Sequence, residues 1–498
     1  MKRMTHLIRT AIVVTALSLS TACGGTFDLQ IETTPGPEAT IAALEADYAD
    51  LATQVVAIAE PTPVSSHGRL AYVRGGDVWV KDLPEGTARR LTTGGHNSHP
   101  RWSPTGVWLS FQQGELGQVW VMHAGNGVIG EDEPRAVNDG RPVDTIAWSP
   151  VEDALAYVDT AQGELRLEAI GPEPSTVVTL IANMPPRPTS PPTQTLDIQA
   201  IAWHPDGSQI AYTVSHRAQT PEQIGPASYQ GLWIIPTAGG EPEELYASGV
   251  PERGTVELYG WTADGTHLLF WQGDILSASM LADGVPFYAL PAGGGDPIEL
   301  AGEVLYYDAF VAPAPTGTGV AMVEGAGRQT WTRKVLRVVE IRDASVAVQA
   351  PTTTSNFAVA APAWSPDGSS IAYVAMPDKG DIWGGDPALE GLMERRLWVI
   401  NTTGFDPHPL TDDTAYRDES PRWSADGTHL LFVRMDGTGV ASLWWLATAG
   451  GTPVQVVDEI GPIPGLADPR FGIYGHVTWE PLFDWWQDSA GAVTATEP

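Results

Sequence analysis

WSPDGSSIAYV, residues 364–374, is the stretch that decides the architecture. It reads as a strand ending at Trp364, a tight turn through Pro366-Asp367-Gly368, and a second apolar strand. Proline presets φ for such a turn, and glycine accepts the positive φ that closes it. The same phrase begins at Trp102 (WSPTG), Trp148 (WSPVE), Trp203 (WHPDG), Trp261 (WTADG) and Trp423 (WSADG). An apolar run follows each copy: WLSF, ALAYV, QIAYT, HLLFW and HLLFV. A motif recurring at this spacing means one supersecondary unit copied along the chain.

The interval from Trp261 to Trp364 is twice a normal period. Within it, Asp308-Ala309-Phe310-Val311-Ala312-Pro313 followed by Gly319–Val323 reads as a worn copy, with Phe310 or Val311 near the Trp position. A last degenerate copy is read at HVTW, 476–479. Around Trp364 the unit comprises four strand-like pieces, AAPAWSP, SIAYVA, RRLWVIN and PHPLT. Four short antiparallel strands in a unit of this length make a propeller blade.

The chain opens with RLAYV (69–73), DVWV (77–80) and RLT (90–92), three strands with no Trp strand ahead of them. It ends on a Trp strand with no blade behind it. The two fragments complete each other, which removes free sheet edges. The expected fold is all-β, a single closed β-propeller of eight four-stranded blades with a short N-terminal helix. Seven blades is the alternative count, since eight depends on the worn copy.

Composition agrees. The chain is 43% hydrophobic and 17% charged, with 53 Gly, 42 Pro and 19 Trp, which suits short strands and tight turns. The formal net charge of -33 repels phosphate backbones and anionic headgroups, so nucleic acid is excluded as a partner class. Cationic ligands, metal ions and basic proteins remain electrostatically allowed. A solvated acidic surface with no ligand at all is the plainer reading.

Residues 1–9 are basic, Leu7 to Leu19 are mostly apolar, and Ser20-Thr21-Ala22 precede Cys23, the one cysteine. That is the plan of a secretory signal peptide. With the cysteine directly after the small residues, it resembles a bacterial lipoprotein signal. The resemblance implies lipidation at Cys23 and a place outside the cytoplasm, in the periplasm or at the cell surface. Ser20 departs from that pattern, which usually has Leu three residues before the cysteine. Simple secretion is the alternative.

Ile41, Leu44, Tyr48, Leu51, Val55 and Ile58 recur at helical spacing, so an amphipathic helix is expected over 38–59. It would either form a short coiled coil or pack on the repeats. The expected organisation is a signal over 1–22, a tether, helix and linker over 23–66, the propeller over 67–486, and a disordered tail over 487–498.

Copy after copy, WSPDG with its following strand resembles the TolB-type (WD40-like) propeller repeat over roughly 420 residues. The resemblance implies that the first strand of each blade lies nearest a central channel. It also implies binding of peptides or partner proteins, although related propellers accompany hydrolase domains or occur as lyases.

Catalytic motifs are missing. There is no G-x-S-x-G elbow, no phosphate-binding glycine loop, no H-E-x-x-H and no cysteine ligand set. No cofactor and no metal are therefore expected. His96 and His99 are spaced within reach of one metal, and Asp378, Asp381 and Asp386 form an acid-rich loop, but that loop lacks the alternate-position pattern of a calcium site.

The motif tryptophans read as packing residues. The better pointers stand about four residues before them: Asp144, Gln199, Glu257 and Glu419, with Asp308 in the worn copy and His99 and His476 beside them. Converging at one channel mouth, they would make a focused polar site, bordered by Arg101 and Arg422. A mouth that is merely water-filled and polar is the alternative.

Insertions at 184–198, 215–230 and 376–395 are further candidate binding loops. The sequence thus leads to a membrane-anchored, extracytoplasmic, non-catalytic module that binds a protein or peptide. The alternative is a propeller-type hydrolase or lyase using His99, Glu419 and His476.

Overall fold

The structure is a computed structural model that describes residues 67–114, 117–124, 133–159, 161–172, 176–182, 196–216, 230–248, 254–274, 283–342, 345–351, 356–382, 384–466 and 468–488. The signal-like segment, Cys23, the helix expected over 38–59, nearly all of the 184–198 and 215–230 insertions and most of the tail lie outside the described residues. By compactness the chain divides into Met1–Glu60 and Pro61–Pro498, and every described residue falls in the second unit.

The strands form six antiparallel sheets of four and one of eight. The larger sheet is two four-strand units, joined only where Val304 pairs with Glu324. That gives eight blades. Their first strands are, in order, Asn97–Trp102, Val143–Trp148, Leu196–Trp203, Gly254–Trp261, Val311–Pro313, Phe357–Trp364, Tyr416–Trp423 and Phe483–Trp486. Blade 8 is built from both ends of the chain. Phe483–Trp486 pairs with Arg69–Arg74, which continues to Asp77–Asp82 and Arg89–Arg90. First strands of neighbouring blades lie against one another, as blade 2 does on blade 3, blade 3 on blade 4, blade 6 on blade 7 and blade 8 on blade 1. They therefore form the inner wall of the ring.

The repeated phrase works as a turn and a hook. In the turn, the residue after the motif Trp donates its N–H to a carbonyl five residues on. Examples are Ser365 to Ser370 (2.8 Å) and Ser424 to His429 (2.9 Å). The motif Gly closes back on that same residue at positive φ, 70° at Gly368. In the hook, made by four of the motif tryptophans, the indole N–H reaches the preceding blade's carbonyl just ahead of that blade's own motif position, whereas Trp148 donates to the Ser110 hydroxyl (2.9 Å). Trp203 donates to Ala147 (3.1 Å), Trp261 to Ala202 (3.2 Å), Trp364 to Ala312 (2.9 Å) and Trp423 to Ala363 (2.9 Å). Each bond contributes about 1 kcal/mol, so a good part of the gain is registration of one blade on the next.

Two expectations are corrected by this register. The Trp position of the worn copy is Pro313, not Phe310 or Val311. Trp364 hooks the carbonyl of Ala312, and Pro313 pairs with Val320 as Trp364 pairs with Ile371. The closing strand is FDWW at 483–486, not HVTW at 476–479. Trp485 pairs with Leu70, at the start of LAYV, which puts it in the motif register. HVTW matches the pattern only locally, because it has no strand to pair with.

Apolar burial joins blade to blade. One cluster unites Leu431, Val433 and Trp445 of blade 7 with Leu70, Tyr72 and Trp485 of blade 8, so the last sheet packs on the one that holds the chain's beginning. Between the second and third strands of blade 6, the 376–395 insertion contributes an α-helix, Asp386–Leu392. Its Ala388 and Leu392 pack with Trp331, Met376 and Phe471.

Candidate functional site: a barred channel mouth and its flanking cleft

All first strands run from one face of the ring to the motif turns on the other. Near their starts the pairing slips, between Ser98 and Arg101, Val143 and Ile146, Ile198 and Ala200, Leu258 and Gly260, Ala360 and Ala363, and Glu419 and Arg422. Such bulges re-aim side chains, and they fall at the polar positions singled out in the sequence. The extra residue adopts left-handed φ at His99 (52°), Ala361 (50°) and Ser420 (47°).

The mouth on this face is not open. Residues 461–466 and 468–482, between the last strand of blade 7 and the closing strand, cross it. This segment starts at blade 8, where Gly461 donates to the carbonyl of Val73 (2.9 Å). Arg417 of blade 7 then holds the carbonyls of Pro469 (3.3 Å) and Arg470. Phe471 packs on Trp331, and Thr330 of blade 5 donates to the carbonyl of Tyr474 (3.1 Å). His476 stacks on Tyr307 at 4.0 Å, where blade 4 passes to blade 5. Five residues later Pro481 accepts from His99 of blade 1 (2.8 Å). Blades 1 and 5 stand opposite one another in a ring of eight, and five residues extended span about 17 Å. The stretch 476–481 is thus a crossbar over the channel.

Glu480 sits on this crossbar and is the electrostatic centre of the mouth. Its carboxylate bears on His99, Tyr259, Asp308, Arg422 and His476, from blades 1, 4 and 7, the passage from blade 4 to blade 5, and the crossbar itself. Arg101 binds its carbonyl (2.7 Å), and Arg422 lies 4.0 Å over the Phe483 ring. Burial, then the charge of Arg101, holds the His99 imidazole down at about 4 against the opposing pull of Glu480. Burial likewise holds His476 at about 4, although Glu480 and Glu419 favour its protonation. Water reaches Asp308, yet protein surrounds it on most sides. That desolvation, with Glu480 opposite, pushes its carboxyl up.

The structure therefore brings His99, Asp308 and His476 around a residue that the sequence reading missed. Glu419 approaches them from beneath. It is 4% exposed and bonds Arg395 (2.6 Å) and Arg417 (3.2 Å), both fully buried, so it anchors the crossbar's support and does not face the mouth. Glu257 is engaged by Thr255 (2.7 Å) and by the hydroxyl of Tyr306 (3.2 Å), whose pKa burial and Glu257 push up. Gln199 is exposed at the bulge of blade 3, and Asp144 lies in the first strand of blade 2, its side chain outside the described part. In the acid-rich loop, Asp378 is occupied by Thr332, Arg333 and Gly380, while Asp381 pairs with Arg333. A signal for the crossbar did exist: 461–482 holds four Pro and four Gly and lacks strand alternation, which marks a long loop.

Beside the crossbar's foot opens a cleft of about 590 Å³, walled by Gly75, Gly76, His96, Ser98, His99 and Gln112 on one side and Pro462 and Pro464 on the other. This volume is in the range of ligand sites. Glycine walls leave backbone approachable, and two imidazoles and an amide supply polar contacts.

No family model matches the sequence, and no curated protein matches it. Solved structures do resemble the chain, at low identity. One is titled dihydro-heme d1 dehydrogenase NirN in complex with DHE, 13% identical over 81% of this chain and 76% of that one, with a TM-score of 0.49. TolB from Acinetobacter baumannii is 12% identical over 79% and 64%, with a TM-score of 0.33. An oligogalacturonate lyase in complex with manganese is 11% identical over 82% and 90%, with a TM-score of 0.44. The likeness is one of fold, that of a β-propeller, TolB among its kind. The expectation of a chain without catalytic activity is corrected at this point. The solved structures similar in fold include ones titled as a dehydrogenase and a lyase. Among the described residues no helix is long and apolar enough to cross a membrane.

Proposed function

We propose that this protein is an extracytoplasmic propeller, tethered by lipid at Cys23, that holds a protein or peptide partner in the cleft beside the crossbar. The observation that carries the reading is the cleft itself. It is sized for a ligand, walled by approachable backbone, and bounded by residues from both ends of the chain, at 75–76 and 462–465. An extended peptide satisfies its backbone against such a wall, while His96, His99 and Gln112 select side chains. The net charge of -33 favours a partner with basic residues. The tether reading is supported by the apolar run Leu7–Leu19 and the small residues ahead of Cys23.

The test is site-specific photo-cross-linking in the native envelope. A photoreactive residue at Gln112 is expected to capture one partner, whereas the same residue at Val178, on the outer strand of blade 2, captures none. Free basic peptide in excess should suppress the adduct. Equal labelling at both positions, or no adduct at Gln112, would remove the cleft as the binding site.

A further inference from the structure

On the opposite face, where the motif turns lie, three potential metal ligands meet across the closing seam. His67 stands just ahead of the blade 8 strand Arg69–Arg74. Asp426 belongs to the WSADG turn of blade 7, and His429 begins that blade's second strand. One ligand atom from each lies within 4.8 Å of the others. We propose that His67, Asp426 and His429 form a binding site for a divalent transition metal of the zinc class, which staples the chain's first blade fragment to blade 7.

Three observations carry this. First, the cluster is orientated as metal ligands are, through a second layer of hydrogen bonds. Asp426 Oδ1 accepts from Ser424 Oγ (2.6 Å), Thr428 N (3.0 Å) and Thr428 Oγ1 (2.7 Å), so these donors gather on one oxygen and leave Oδ2 for a ligand. The Thr428 hydroxyl, having given its proton to Asp426, accepts from His429 Nδ1 (2.7 Å). That relay fixes the imidazole with its proton on Nδ1 and its lone pair on Nε2. Second, His67 Nδ1 is shut off from solvent and has no hydrogen-bond partner. Its backbone is pinned, since the Trp485 indole donates to its carbonyl (2.7 Å).

Third, the floor is aromatic. His429 stacks on Trp445 at 4.9 Å, His67 meets the same ring at 5.0 Å, and the two imidazoles stand 5.0 Å apart. An apolar floor weakens the competition from water.

Two nitrogens and one oxygen suit zinc, cobalt or nickel and not calcium. Blade 4 supplies an internal control. It repeats the relay, with Thr266 Oγ1 on Asp264 and on His267 Nδ1, both at 2.8 Å. Yet among the described residues only the seam gathers a third ligand there. The sequence gives no metal motif because His67 and His429 are separated by almost the whole propeller.

The experiment titrates ZnCl2 and CoCl2 into the chelator-treated full chain. Expected are one bound cobalt with the visible absorption of nitrogen ligation, and a rise in Tm of about 2–5 °C at saturating zinc. His67→Ala and His429→Ala should each weaken binding at least tenfold, and His267→Ala should leave it unchanged. Asp426→Asn removes the charge with little change in shape and keeps the test decisive if a histidine variant does not fold. Absence of zinc or cobalt binding to the wild type overturns the site, as does binding that persists undiminished in the seam variants.

Discussion

Glu419→Gln is the substitution that tests the support of the crossbar most directly. Glu419 is 4% exposed, and it lies against Arg395 and Arg417, 2% and 0% exposed. Burial already pushes the Arg417 guanidinium down to about 10, so its charge is held at a cost that Glu419 offsets. Removing one partner of a buried ion pair leaves an uncompensated charge and costs about 3–5 kcal/mol. Here the loss also loosens 469–475, because Arg417 carries the carbonyls of Pro469 and Arg470 and Arg395 orders Thr330, which binds Tyr474. Urea unfolding followed by tryptophan fluorescence should show a destabilisation of about 3–5 kcal/mol. Hydrogen exchange should quicken in 469–475 and stay unchanged in the blade 2 strands at 154–169. Adding Arg417→Met to Glu419→Gln should restore part of the loss, with a coupling of about 1–3 kcal/mol. A loss below about 1 kcal/mol for Glu419→Gln, or strict additivity of the pair, refutes the clamp.

Three further outcomes are expected. The His476 ring is neutral in the fold, with its pKa at about 4 against 6.5 for a free imidazole, so the unfolded chain takes up the proton first. Its contribution is complete above pH 6.5 and is lost as pH falls towards 4, at most about 3 kcal/mol. His476→Gln should flatten the pH dependence of the urea midpoint between 6.5 and 4, and an unchanged slope would contradict the assignment. Gly472→Ala places a methyl group 2.1 Å from the His476 carbonyl oxygen at a φ of 65°. It should expose 461–482 to limited proteolysis at low protease concentration, and wild-type resistance would show that the crossbar tolerates the change. Cys23→Ala should move the protein from the membrane fraction to the soluble extracytoplasmic fraction, and retention in the membrane would remove Cys23 as the anchor.

Much of the ring was legible because packing writes itself repeatedly. The turn recurs from blade to blade and the hook in four of them, so Trp, Pro and Gly recur in register. The worn copy stayed readable as a unit because Pro315 and Gly317 keep the turn, but its hook position was misread, since Pro313 replaces the ring that would have marked it. The mouth was legible only in part. His99 and Asp308 stand at fixed distances from the motif, whereas Glu480 belongs to a segment that obeys no repeat. Glu419 shows the limit of spacing arguments. Its position indicates a channel-facing acid, but Arg395 and Arg417 draw it inward, and nothing local in the sequence pairs residues 24 apart. HVTW misled for a related reason: a strand is defined by its partner, and the partner of Arg69–Arg74 lies further on.

Blade 8 also sets an order of events during synthesis. The strand Arg69–Arg74 is among the first made, and its inner partner, Phe483–Trp486, is among the last. At about 5–20 residues per second, roughly 20–80 seconds pass before that edge is covered. Throughout this interval the hairpin 69–82 offers unpaired backbone to any passing strand, and the ring closes by the most sequence-distant pairing in the molecule, which is slow. A chain stalled before residue 483 would keep seven blades and an open edge, so premature termination late in the message should yield aggregation and not a smaller ring.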